Sequence, residues 1–111
     1  FKEGGGPRVV FECQLNTIYH DPKKTASLYG VMDCLDAPAN DDEWFDLYIK
    51  VEGKRVITKV NEKTIVDWTQ PADWQKGESF ERILNEGTFA LQGHDPGSTV
   101  LFRNLMVKRL P

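Results

Sequence analysis

The sequence predicts an all-β antiparallel sandwich, and three observations predict it. Short stretches alternate apolar and polar residues with a period of two. Gly, Pro, Asn and Asp punctuate those stretches at close intervals. No stretch carries a sustained helical period. The clearest strand runs from Glu43 to Glu52, where Phe45, Leu47, Ile49 and Val51 alternate with Trp44, Asp46, Tyr48 and Lys50. Gly53-Lys54 makes a tight turn and Arg55 to Val60 returns antiparallel. Asn61-Glu62-Lys63 turns again, and Thr64 to Trp68 completes a meander with short hairpin loops.

The other elements follow from the same cues. Gly4-Gly5-Gly6-Pro7 is a flexible lead-in. Arg8 to Leu15 reads as a strand, with Val9, Phe11, Cys13 and Leu15 on one face and Val10, Glu12 and Gln14 on the other. His20 to Thr25 is a polar turn, Ala26 to Met32 a short strand, and Asp36 to Asp42 a loop. Thr69 to Glu86 is one long loop with a helical turn expected around Phe80 to Leu84; loops of that length in compact domains are often functional. Gly87 to Pro96 and Thr99 to Lys108 form a terminal strand pair around a Gly/Pro loop. These segments make seven short strands. Two full sheets need more chain than 111 residues supply, so the sandwich is expected to be incomplete here. Preceding strands, or a partner chain such as a second copy, would complete it.

Length supports one domain, residues 1–111. A net charge of −3 without a clustered basic face argues against nucleic acid as a partner. The apolar runs are too short for a membrane-spanning helix, and no secretory signal pattern is visible. Cys13 and Cys34 match no zinc spacing; they form a disulfide if their strands pair and are otherwise two buried thiols. There is no Gly-x-Ser-x-Gly nucleophile motif, and the glycine run lacks the Lys-Ser/Thr of a phosphate loop.

The polar residues of the terminal strand pair stand out. Gln92, His94, Arg103 and Asn104 offer hydrogen bonds where ordinary sheet surface carries Thr, Ser or Lys, as a sugar-recognising site requires. Gln92 and His94 share a face; the imidazole titrates near neutrality and serves as acid, base or ligand, unless it merely caps the strand end. Arg103 and Asn104 point to opposite faces, so one is structural; Arg103 is expected to pair with a carboxylate such as Asp46 or to join the site. Glu12 and Gln14 occupy either a solvated outer face or a ligand-facing one, where a carboxylate accepts hydroxyls, binds a cation or acts as a base. His20 and Asp21 form a solvated turn or contact a ligand. The acidic stretch Asp33, Asp36, Asn40, Asp41 and Asp42 holds a cation only if its oxygens converge. Trp44 and Tyr48 share a mixed face suited to stacking on a sugar's C–H surface. Trp74 is the lid candidate, and Trp68 packs in the core or at an edge.

Several motifs resemble one family. Glu43-Trp44-Phe45-Asp46-Leu47-Tyr48-Ile49-Lys50-Val51-Glu52-Gly53-Lys54-Arg55-Val56, with Val60-Asn61 and Val66-Asp67, is similar to the "EWN-x-Y-x-I-x-V-x-G-x-x-I…V-N-G…V" core of the 3-keto-disaccharide hydrolase domain. Ala90 to Pro96 with Val100 to Lys108 resembles its "I-x-L-Q-x-H-G-x-x-V-x-F-R-N-I-x-I-K" ending. Phe11-Glu12-Cys13-Gln14 resembles its "E-x-Q" strand, and Ala26-Ser27-Leu28-Tyr29-Gly30 its "G-A-L-Y-G" strand. The resemblance implies a concanavalin A-like jelly roll with a concave carbohydrate-facing sheet, in a secreted or periplasmic bacterial protein. It implies cleavage of glycosides whose sugar is oxidised to a ketone at C3, with Glu12 and His94 catalytic. Gln14, Tyr29, Trp44, Trp74, Gln92 and Arg103 would bind substrate, and a divalent cation would stabilise an enediolate. A non-catalytic, lectin-like carbohydrate-binding module is the alternative. Two departures stand out. The family's "F-x-L-x-x-E-W-R…N-S-G-I-F" strands have no counterpart, so the chain looks like the C-terminal part of the domain. Asn61-Glu62-Lys63 replaces the usual Asn-Gly turn, which is expected to alter the hairpin geometry.

Overall fold

The computed structural model describes residues 9–77 and 81–111. The Gly4–Pro7 lead-in, Arg8 and Phe80 lie outside the described residues. Strand β1 spans Leu47–Glu52, β2 Arg55–Val60 and β3 Lys63–Thr69. They form one antiparallel sheet in the order β1-β2-β3, with no helix among the described residues. None of the helices required to cross a membrane is therefore present among them.

Two-residue turns set the register. Glu52 pairs with Arg55, so Gly53 and Lys54 alone make the first turn, and Gly53 takes φ +58°. Val60 pairs with Lys63, leaving Asn61 and Glu62 at φ +46° and +68°. Two positive φ values in a two-residue loop are the signature of the type I′ turn, whose twist matches that of the strands it joins. Glu62 adopts the left-handed backbone that glycine would take more easily. Asn61 extends the pairing beyond β1, its N–H donating to the Asp46 carbonyl and its Oδ1 accepting from the Asp46 N–H, both at 3.0 Å.

One face of this sheet covers the core. Val56, Val60 and Val66 are buried; Val56 and Val66 meet Leu28 and Leu84, with Phe11, Val31, Ile65 and Trp68 packed around them. Opposing this face is an irregular antiparallel pair that the sequence analysis read as two regular strands. Residues 12–16 and 25–29 exchange backbone hydrogen bonds at Tyr29 to Glu12, Gln14 to Ser27, Ala26 to Gln14 and Thr25 to Asn16. Gln14 thus faces both Ala26 and Ser27, a bulge that breaks the ladder. Ala26 sits at its first position with φ +69°, where the resembled "G-A-L-Y-G" motif has its first glycine. The buried Thr58 hydroxyl donates to the Ala26 carbonyl at 2.7 Å and ties this pair to β2.

Three further expectations are corrected. Residues 81–84 form no helical turn; Leu84 is instead buried in the core, its N–H bonded to Gln70 Oε1. The strand expected over Glu43–Glu52 begins only at Leu47. The terminal strand pair does not form: residues 87–108 contain no strand, and Phe89, Leu101, Leu105, Met106 and Val107 are exposed. The described residues are thus an all-β chain with a three-stranded antiparallel sheet, not seven paired strands.

Candidate functional site

The C-terminal segment, β1 and the 9–21 region border one wide, open depression. Glu12, Gln14, Tyr29, Trp44, Gln92, His94 and Arg103 border it, whereas Trp74 does not. Most of the chain lines so wide a gap, so the contacts within it are what mark out a site.

The most organised contacts centre on Asp21. Buried Asn16 shapes the turn that carries it, its Nδ2 donating to the carbonyls of Asp21 and Lys23, both at 2.9 Å. One Asp21 oxygen accepts the Lys23 N–H at 2.8 Å and the other accepts the Tyr29 hydroxyl at 2.9 Å. The Lys23 ammonium lies 4.0 Å from the centre of the Tyr29 ring. The Lys23 backbone N–H, the Tyr29 hydroxyl and the charges of Lys23 and His20 hold the Asp21 carboxyl below its ordinary range. Donation to Asp21 raises the Tyr29 phenol in turn, with the negative fields of Asp21, Glu12 and Asp33 adding to the effect. Tyr29 therefore keeps its proton at neutral pH, and Glu12 lies within its electrostatic reach.

The C-terminal segment carries a second bonded carboxylate, Asp95. Asp95 accepts from the Ser98 hydroxyl and from the Gly97 N–H, and these bonds hold its carboxyl below the ordinary range. His94 and His20 both act on that carboxyl. The His20 ring, stacked on Tyr19 at 4.0 Å between centroids, thus belongs to the fields of both Asp21 and Asp95.

The remaining predicted residues fall elsewhere. Trp44 is 53% exposed, and the Arg103 guanidinium lies 4.1 Å from its ring centre. Arg103 therefore stacks on Trp44, and no ion pair joins it to Asp46 among the described residues. Gln14 spends its backbone on the bulge. Gln92 and His94 share no strand face, because no strand forms there. Trp74, expected as a lid, donates its indole N–H to the Arg82 carbonyl at 2.7 Å and meets Trp68 edge-on at 5.0 Å. Both cysteines are free thiols, and burial raises the Cys13 thiol to about 11. Among the described residues no three His, Cys, Asp or Glu side chains converge as metal ligands. The sequence leaves His20 and Asp21 as a solvated turn or a ligand contact and does not single out Asn16; a His-Asp-Pro turn followed eight residues after its Asp by Tyr29 is the available signal.

The described chain is an all-β domain built on an antiparallel meander, with a hydrogen-bonded Asp21–Tyr29 pair packed beside it. The family model for the 3-keto-alpha-glucoside-1,2-lyase-like domain matches residues 1–108, and the chain belongs to that family. No curated protein and no solved structure matches it.

Proposed function

We propose that this domain cleaves 3-keto-glycosides by elimination across C1 and C2. Membership of a family described as 1,2-lyase-like carries the reading and weighs against a binding-only module. A ketone at C3 acidifies the C2 hydrogen. A base takes that proton, the C–H electron pair becomes the C1=C2 double bond, and the C1–O bond breaks. The departing oxygen takes a proton from an acid, and later addition of water to the enone makes the net reaction a hydrolysis.

Glu12 and His94 supply the two proton-transfer groups. Tyr29, protonated and pinned to Asp21 at 2.9 Å, donates to a substrate oxygen when it exchanges that partner. Gln92, which borders the gap, holds a sugar oxygen. Glu12→Gln and His94→Ala are each expected to lower turnover of a 3-keto-glucoside by about 10²–10⁴-fold, the usual worth of a positioned acid or base. Turnover unchanged in both variants would refute the assignment. The limb of the pH–rate profile lost in each variant tells base from acid.

A further inference from the structure

We infer that the outer face of the meander carries a second binding subsite, for a saccharide bearing a negative charge. The inference rests on the domain acting on glycosides, and adds a preference among them. The outer face holds Tyr48, Lys50 and Glu52 of β1, opposite Lys59, Ile57 and Arg55 of β2. Trp44 lies two residues before Asp46, whose bonds to Asn61 carry the pairing past the end of β1.

The two ends of this face differ in charge. Near the first turn each cation has its carboxylate: Lys50 pairs with Glu52, and Arg55 forms a two-bond fork with Asp67 at 2.7 and 2.6 Å. At the other end the cations sit on aromatic rings instead. Arg103 lies 4.1 Å from the Trp44 ring centre and Lys59 5.4 Å from that of Tyr48. Neither belongs to an ion pair among the described residues. Both rings remain about half exposed, at 53% and 49%.

A guanidinium lying on a ring keeps its edge free, and that edge presents parallel N–H donors matched to a carboxylate or sulfate. The exposed ring surface accepts the apolar C–H face of a sugar. Asp46, on the same face, accepts hydroxyls and leaves two cations against one carboxylate. Ring stacking, a planar cation and a second point charge together select an anionic glycoside over its neutral counterpart. A charged oxygen of either kind meets the same donors, so a carboxylate on C6 and a sulfate on O6 are both ligands.

Calorimetric titration of the 111-residue chain with methyl glucuronide, methyl glucoside 6-sulfate and methyl glucoside tests the subsite. At low salt each anionic sugar is expected to bind about tenfold more tightly than the neutral one, the scale of one charge-assisted hydrogen bond. Arg103→Gln and Lys59→Gln should each erode that preference, and Arg103→Lys should not restore it. Lys50→Gln should leave it intact. A preference for only one of the two anions assigns the source of the charge. Equal binding of all three sugars, or a preference that survives Arg103→Gln, overturns the inference. Turnover of a neutral 3-keto-glucoside should persist in Lys59→Gln. Its absence in the unmodified chain would count against the lyase reading and not against the subsite.

Discussion

Residues 43–52 and 99–108 carry related patterns and meet different fates. In the first, Leu47, Ile49 and Val51 alternate with polar neighbours and become β1. In the second, Leu101, Leu105 and Val107 fall on one side around Arg103, yet no strand forms and all three are more than 60% exposed. The difference lies in the connections. β1 finds its partner after two residues, because Gly53 supplies the positive φ the turn needs. Between 87–96 and 99–108 the chain instead makes a turn sealed by Asp95, which binds both Gly97 and Ser98. That turn satisfies itself and aligns nothing beyond it. Alternation marks what can pair; a nearby partner, reached by a turn of the right twist, decides what does.

Substitutions can break or sharpen this contrast. Val60→Asp puts an unpaired charge into a site only 1% exposed and should destabilise by about 3 kcal/mol or more. Val107→Asp, at a 70% exposed site, should stay within about 0.5 kcal/mol. Urea unfolding followed by tryptophan fluorescence reads both, and equal effects would erase the distinction between the regions. Thr58→Val comes next. It fills the same volume but strands the Ala26 carbonyl, at an expected cost of about 1–3 kcal/mol. Smaller and opposite in sign is Glu62→Gly, which relieves a left-handed backbone and should raise stability by about 0.5–1 kcal/mol. A loss of stability there would mean the type I′ geometry is not what joins β2 to β3.

The smallest effect concerns the exposed Arg55–Asp67 pair. The Arg55 guanidinium, chiefly through its hydrogen bonds, holds the Asp67 carboxyl below its ordinary value. The folded state therefore binds fewer protons than the unfolded one on the acid side. The pair stabilises above the usual carboxylate range near pH 4, and that contribution fades as pH falls through the lowered value. Asp67→Asn should flatten this part of the stability–pH curve and reduce its sensitivity to salt. An unchanged acid limb would show the pair to be energetically silent.

Much of the meander was legible because its determinants are local. Alternation gave Tyr48 and Lys59 their shared face, and Gly53 and Asn61 marked the turns. The bulge at Ala26 was hidden, since alanine does not announce a positive φ; only the glycine of the resembled motif hinted at it. Trp74 looked free because sequence shows an aromatic in a loop and not the Arg82 carbonyl that holds its N–H. Of the candidate site, Glu12, Tyr29 and His94 were picked from their types and motifs. The Asp21–Tyr29 bond was not legible, because it depends on how the 16–29 region folds back on itself.

The sequence alone determined the all-β class, the two hairpin turns, the strand faces and the family. Each rests on residues a few positions apart, where backbone sterics and a period of two leave few choices. Tertiary structure decided the rest. It set Thr58 against Ala26, placed Arg103 on Trp44 in place of Asp46, and brought His94 and Asp95 toward His20. It also left residues 87–108 without the ladder their pattern permits. Long-range contacts must outweigh the entropy of closing long loops, and no local pattern records which of them succeed.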